Sequence, residues 1–135
     1  MKRRRIAREL CLQSLYLADT TTIPYQEILN IIKNSVEEDS SVIQFYEKIY
    51  LAAVSNLKKI DDTIIITARN WDIKRMLPVD RNIIRMAVCE MQLLHTAPVA
   101  VIIDEAIEIA KKFSTQESGK FVNGVLDSIA KSTKT

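Results

Sequence analysis

Glycine is almost missing from this chain: two residues in 135, Gly119 and Gly124. Phosphate-cradling P-loops and dinucleotide fingerprints need glycine where backbone meets phosphate, so both are excluded. Histidine occurs once, at His95, and cysteine twice, at Cys11 and Cys89, with no C-x-x-C pair. Metal sites built from Cys and His are therefore excluded, and no other residue set calls for a metal or a cofactor. Both cysteines lie inside apolar helical patterns and read as buried thiols of a reducing, cytoplasmic compartment. No apolar run approaches the about 18 residues that a membrane helix needs, so no membrane association is expected. Proline is also scarce, at three residues.

Without breakers, apolar residues recur with a period of 3.6 nearly throughout, which predicts an all-α domain over residues 1–135 with about seven helices and no internal repeat. A first helix is expected from about Arg3 to Asp19, with Ala7, Cys11, Ser14 and Ala18 on its core face and Leu10 and Leu15 beside them. Thr20–Thr22 ends it, and Pro24 opens a second helix carrying Ile28, Ile31, Ile32 and Val36. Ser40 or Ser41 is expected to cap a third through about Lys59. Asp61 or Asp62 then starts a short fourth ending near Trp71. Residues 72–78 read as a connector. Val79 to His95 is apolar almost all round, the mark of a central buried helix. The next helix turns Val99, Ile102, Ile103, Ala106, Ala110 and Phe113 inward, leaves Asp104 and Lys111 in water, and pairs Glu108 with Lys112 at i,i+4. Ser114-Thr115-Gln116-Glu117 matches a capping box ahead of the last helix.

Charge is distributed unevenly. Five of the first eight residues are basic and none is acidic; the remainder carries 14 basic against 17 acidic residues. A cationic arm on a mildly acidic body attracts polyanions through phosphate neutralisation. The arm also resembles a signal-peptide n-region, but no apolar h-region follows; a mitochondrial-type presequence is opposed by helical periodicity running on into the body. Catalytic chemistry finds little support. Asp104 and Glu108 read as surface carboxylates. Glu90, among apolar residues, needs a buried partner, for which Arg75 or Arg85 is expected. His95 sits at a helix end, where a cation suits the dipole.

Two surfaces suggest binding. Arg5, Arg8, Leu12 and Tyr16 share one stripe of the first helix, basic at its start and apolar and aromatic at its end. The basic half suits phosphate and the Leu12–Tyr16 half a protein partner, although both apolar residues could equally pack against a neighbouring helix. At the other end, Phe121 lies between Lys120 and Asn123. It reads either as core or as a ring that stacks a single-stranded base while Lys120 meets phosphate. Gly124, mid-helix, suggests close approach of another backbone.

Three stretches resemble a known family, the NusB transcription antitermination factors. They are Arg4-Arg5-Ile6-Ala7-Arg8-Glu9 with Gln13-Ser14-Leu15-Tyr16; Val79-Asp80-Arg81-Asn82-Ile83-Ile84-Arg85-Met86-Ala87; and Asp104-Glu105-Ala106-Ile107-Glu108-Ile109-Ala110-Lys111-Lys112-Phe113 with Ser118-Gly119-Lys120-Phe121-Val122-Asn123-Gly124-Val125-Leu126. From about Thr20 to Lys59 only length and apolar pattern match. The resemblance implies two small helical subdomains in one compact domain. It implies binding of single-stranded boxA-type RNA in ribosomal RNA transcripts, together with the small-subunit ribosomal protein that doubles as NusE. The complex would join the elongating RNA polymerase with other Nus factors and suppress premature termination. Carried over, the RNA surface falls on Lys2, Arg4, Arg5, Arg8, Lys120, Phe121 and Asn123, and the partner surface on Tyr16 and Asp80, with Leu12 added by the stripe. Self-association of the free chain as a homodimer stays open. The chain departs from the family pattern at Ile6, where relatives often carry another basic residue, and at Gly119. Two other readings stand beside this one. A similar helical module begins ribosomal RNA cytosine methyltransferases, whose large glycine-containing cofactor domain these residues do not supply. A helical adaptor without RNA contact is the third.

Overall fold

The computed structural model describes residues 2–132, so Met1 of the arm and residues 133–135 of the expected domain lie outside the described residues. Among the described residues there are seven α-helices and no strand: α1 (Lys2–Thr20), α2 (Tyr25–Ser35), α3 (Ser40–Ser55), α4 (Leu57–Thr67), α5 (Pro78–Val88), α6 (Val99–Phe113) and α7 (Gln116–Ser132). A 3-10 turn, Ile73–Arg75, interrupts the expected connector, and a π-helical turn, Cys89–Leu94, extends α5. The fold is all-α, as the glycine-poor, 3.6-period sequence requires.

Several expected boundaries move, for local reasons. The third helix stops at Ser55, because Asn56 takes a non-helical conformation and donates its backbone N–H to the Ala53 carbonyl. α4 therefore starts at Leu57, earlier than Asp61, and ends at Thr67, before Trp71. Asp39, not Ser40 or Ser41, caps α3, accepting from the Val42 N–H at 3.1 Å. At α7 the cap is Thr115, whose Oγ1 accepts from the Ser118 N–H at 3.0 Å, one residue later than the Ser114 box. The central segment is α-helical only to Val88. It then widens into the π turn and stops at His95, which adopts the left-handed conformation (φ 50°) that helix ends favour.

One core runs through the molecule. α1 packs against α2 and α3 on one side and against α5 on the other, while α6 and α7 pair with each other and with α5. Ala7, Cys11, Ser14 and Leu15 of α1 are buried, as are Tyr46, Ile49 and Tyr50 of α3, Ile83 to Cys89, and Val122, Val125, Leu126 and Ile129 of α7. Both thiols are free and buried, and burial pushes the Cys89 thiol up to about 12, so neither is an activated nucleophile. Ser14, the polar member of the α1 core face, shares a 2.6 Å hydrogen bond with the Tyr46 hydroxyl.

Two charge networks lock α1 in place. At its end, Asp19 accepts from Arg81 Nη2 at 2.7 Å and from Asn82 Nδ2 at 2.9 Å, while Arg85 grips Asp61 of α4 at 2.8 and 2.9 Å. Burial pulls the Asp19 carboxyl upward, but the Arg81 and Asn82 hydrogen bonds and the nearby arginine charges outweigh it and hold it below its ordinary value. Near its start, Glu90 of the π turn is 1% exposed and is held by Arg8, whose Nε lies 3.0 and 2.9 Å from its two oxygens and whose Nη2 lies 2.8 Å from Oε1. Thr96 Oγ1 donates to the same carboxylate at 2.7 Å. The partner of Glu90 is thus Arg8, from the arm, and not Arg75 or Arg85: Arg75 is exposed and Arg85 is committed to Asp61.

Removing one member of a fully buried ion pair leaves the other uncompensated, which costs about 3–5 kcal/mol. Arg8→Ala is expected to lower the unfolding free energy by that amount, read from the midpoint of a urea denaturation curve at neutral pH. A loss below 1 kcal/mol would contradict the role given to Arg8.

Candidate nucleic-acid interface

The five cations of the arm leave one short stretch of helix in different directions, and their surroundings sort them. Arg8 points inward onto Glu90 and is 3% exposed. The expectation of Arg8 as a phosphate contact is corrected, because its charge is consumed by two buried carboxylates; its Nη1 also lies 3.5 Å from Glu105. Arg5 is intermediate: its Nε donates to Glu105 Oε1 at 2.9 Å and its Nη2 to Oε2, with about a third of the side chain still exposed. Arg3 is exposed and meets Asp39 at 3.4 Å. Lys2 and Arg4 are exposed and form no ion pair among the described residues. Arg4 is nevertheless fixed in position. Its Nη1 donates to the Thr96 carbonyl at 2.8 Å, and its guanidinium carbon stands 4.5 Å from the centre of the Phe45 ring. A guanidinium held this way presents its remaining donors without further ordering cost.

The second expected element lies at the start of α7. Lys120 and Asn123 are exposed, and Lys120 has only a loose 3.7 Å pairing with Glu117. Phe121 is half-buried, its ring edge-on to Trp71 with centres 5.8 Å apart. It is therefore anchored on one side and open on the other. The close approach inferred at Gly124 is absent, since a Cβ there would meet nothing within 4 Å; the tight site is Gly119, where a Cβ would stand 3.1 Å from Lys111 Cγ. α7 is thus seated against the Lys111 stem.

Lys111 and Lys112, which the sequence leaves as plain surface lysines, link the two elements. Lys112 Nζ donates to both Glu9 carboxylate oxygens at 3.0 and 3.1 Å, and it lines one cleft with Lys2, Arg5 and Glu105. Glu108 pairs with Lys111 at 3.7 Å, not with Lys112 as expected. The only advance signal was adjacency: two lysines in a row, at the end of the helix that precedes the Lys120 segment.

The expected partner residues gather elsewhere on α1. Leu12, Gln13, Tyr16, Leu17, Ile32, Val79 and Phe113 line an apolar groove of about 340 Å³. Leu12 is 3% exposed and forms part of its floor, which corrects the reading of Leu12 as a surface residue; Tyr16 and Phe113, at 39% and 38%, form the rim. Phe113 and Val99, both expected inside, are partly in solvent, Phe113 as part of the groove rim. Asp80 follows Val79 and is 4% exposed, which corrects the expectation of Asp80 as a surface contact for a partner. Its Oδ2 accepts from Ser118 Oγ at 3.2 Å, whereas its Oδ1 has no hydrogen-bond partner among the described residues. Burial pushes its carboxyl up, and the Ser118 bond offsets this only in part.

Comparison with known proteins places the chain beside one family. The NusB family model matches residues 5–131. The transcription antitermination protein NusB of Elusimicrobium minutum is 44% identical, the alignment covering 99% of this chain and 97% of that one. The T. maritima NusB structure superposes with a TM-score of 0.85 at 36% identity, covering 95% of this chain and 90% of that chain. A crystal structure of antitermination factors NusB and NusE in complex with dsRNA contains a chain similar at a TM-score of 0.89 and 26% identity, with 98% of each chain covered.

The Arg5–Glu105 contact has a pH signature. Arg5 hydrogen bonds, working against burial and aided by the Arg5 and Arg8 charges, hold the Glu105 carboxyl below its ordinary value. The folded value lies below the unfolded one, about 4.3. The stabilisation is therefore present above the unfolded value and lost as pH falls through the folded one. Arg5→Gln is expected to be less stable than the parent at pH 7, and the gap is expected to close in strong acid. Urea midpoints measured across that range check it; a gap independent of pH would contradict the assignment.

Proposed function

The chain belongs to the NusB family, and from that membership we propose that it is a transcription antitermination factor that binds single-stranded boxA-type RNA of ribosomal RNA transcripts. Its protein partner is the small-subunit ribosomal protein that acts as NusE. The complex rides on the elongating RNA polymerase with other Nus factors, in the cytoplasm, and suppresses premature termination. No catalytic step is involved; the work is binding.

One observation carries the RNA reading: the arm separates its cations, spending Arg8 and much of Arg5 on buried carboxylates while leaving Lys2 and Arg4 without an acid partner. Phosphate neutralisation needs such uncommitted charge. Lys120 and Asn123 supply a further cation and an amide at the start of α7, and Phe121, backed by Trp71, supplies an aromatic face for a base. Lys111 and Lys112 lie between the two elements, but their charge is shared with Glu108 and Glu9. Arg5 contributes in part, through its exposed flank.

The partner reading rests on the apolar groove. Tyr16 and Phe113 offer the partly exposed aromatic surface that protein interfaces favour. Asp80 lies behind Val79 and ties α5 to α7 through Ser118, so it supports the wall of the groove from within. The related structure with NusE and dsRNA supports a protein partner and an RNA for this fold.

The test is RNA binding by the full chain to a boxA-like single strand, a scrambled strand and a duplex, each with and without the ribosomal protein. The boxA-like strand is expected to bind best and to gain from the partner; equal affinity for all three would overturn the reading. Phe121→Ala is expected to weaken binding by about 1–3 kcal/mol if its ring stacks a base. Lys2→Glu with Arg4→Glu is expected to weaken every strand and flatten the salt dependence. Wild-type affinity in either folded variant would remove that residue set from the RNA surface.

A further inference from the structure

A second face of the arm looks away from α6 and α7, toward α3. There Arg3 and Arg4 of α1 and Ser41, Gln44, Phe45 and Lys48 of α3 line a cleft of about 480 Å³. The α3 residues recur at helical spacing, so one stripe of that helix faces the start of α1. The cleft joins an aromatic floor to a cationic rim. Phe45 is half-buried, with the Arg4 guanidinium 4.5 Å and the Arg8 guanidinium 5.5 Å from its ring centre. Lys48 is exposed and forms no ion pair among the described residues. Asp39, two residues before the Ser41 of the cleft, is already engaged: it accepts from Ser41 Oγ at 2.6 Å and from the Val42 N–H, and it meets Arg3 at 3.4 Å. Three cations thus line a ligand-sized cleft, Arg3 sharing its charge with Asp39 and Arg4 and Lys48 without an acid partner among the described residues, and Gln44 and Ser41 add neutral hydrogen-bonding groups.

We propose that this cleft is an additional RNA-binding subsite, in which Lys48, Arg3 and Gln44 hold the phosphodiesters of nucleotides flanking the boxA-like stretch. Arg4 is the junction. It borders this cleft and belongs to the surface assigned above, so a strand leaving Lys2 and Arg4 meets α3 next. The inference rests on the RNA reading and extends it by one helix. It makes α3, the part of the chain with the weakest resemblance to the family, a contributor to affinity for longer transcripts.

The experiment uses the full chain and fluorescence anisotropy. The probes are a short boxA-like strand and the same strand lengthened by several nucleotides at the 5′ end or at the 3′ end. The unaltered chain is expected to bind one lengthened strand about fivefold or more tightly than the short one, and with a steeper salt dependence. Lys48→Glu combined with Gln44→Glu is expected to abolish that gain and keep short-strand affinity within about twofold, because neither residue belongs to the surface that holds the short strand and salt screens exposed charges at a distance. Both residues are exposed, and circular dichroism of the variant checks that the fold is kept. Lys48→Met, which removes charge without reversing it, is expected to lose part of the gain. No gain from lengthening at either end, a gain retained in the double variant, or an equal loss on short and long strands would each overturn the subsite. Failure of the underlying RNA reading is seen separately, as equal binding of the short boxA-like and scrambled strands.

Discussion

A carboxylate buried to 1% exposure has to be neutralised where it stands, and Glu90 is neutralised by the arm. Most of the molecule's organisation follows from that requirement. Arg8 must enter the interior from the second turn of α1. α1 must therefore lie against the π turn that carries Glu90, and Glu105 of α6 must come close enough to share the arginine. Thr96, between the π turn and α6, adds a donor to Glu90 and lends its carbonyl to Arg4. One buried charge thus fixes four segments at once: the arm, the π turn, the turn that follows it and α6. Isolated buried pairs often stabilise little relative to apolar residues of the same volume. Here the pair ties the position of the outward cations to the core, so the binding surface inherits its geometry from the interior.

That coupling explains why the arm does not act as a uniform cationic tail. A solvated tail would offer all its charges and lose most of their orientation. In this chain the helix begins at Lys2 and each arginine inherits a fixed direction from the helical turn. Arg8 faces the carboxylates, Arg5 shares its charge with Glu105, and Lys2 and Arg4 are left for an external anion. Arg4 gains a further restraint from Phe45 and the Thr96 carbonyl. For the proposed RNA ligand, order in place of number is what would hold a short strand in one register.

The far end of α1 follows the same logic with different chemistry. Asp19, Arg81, Asn82, Arg85 and Asp61 bind α1, α5 and α4 together, and the segment that resembles the family's central helix thereby has a structural task for its polar residues. Between the two networks α1 has an uncovered flank. Leu12 forms the floor of the groove, with Tyr16 and Phe113 at its rim and Asp80 just behind Val79. The surfaces proposed for RNA and for a protein partner are therefore set along one helix, with a charge lock at each end.

Local spacing was enough to settle the all-α class, the seven helices, the core face of α1, the burial of both cysteines and the helix end at His95. Each depends on periodicity, breakers or capping within a few residues. The exposed cations Lys2, Arg4 and Lys120 were legible too, because terminal positions and charged neighbours leave little else for them. Arg8 and Leu12 were not. On a helical wheel they fall away from the core face of α1, and only the arrival of other helices turns that flank inward. The partner of Glu90 was equally out of reach: Arg8 stands 82 positions away in the chain, whereas Arg85, a close neighbour in sequence, was claimed by Asp61. The same holds for the tight contact at Gly119 and the open space at Gly124. The sequence by itself determined which segments become helices and how much charge the arm carries. Which of those charges face water was decided only by tertiary packing, because burial and ion pairing depend on what lies across the interface, and spacing along one helix carries no record of it.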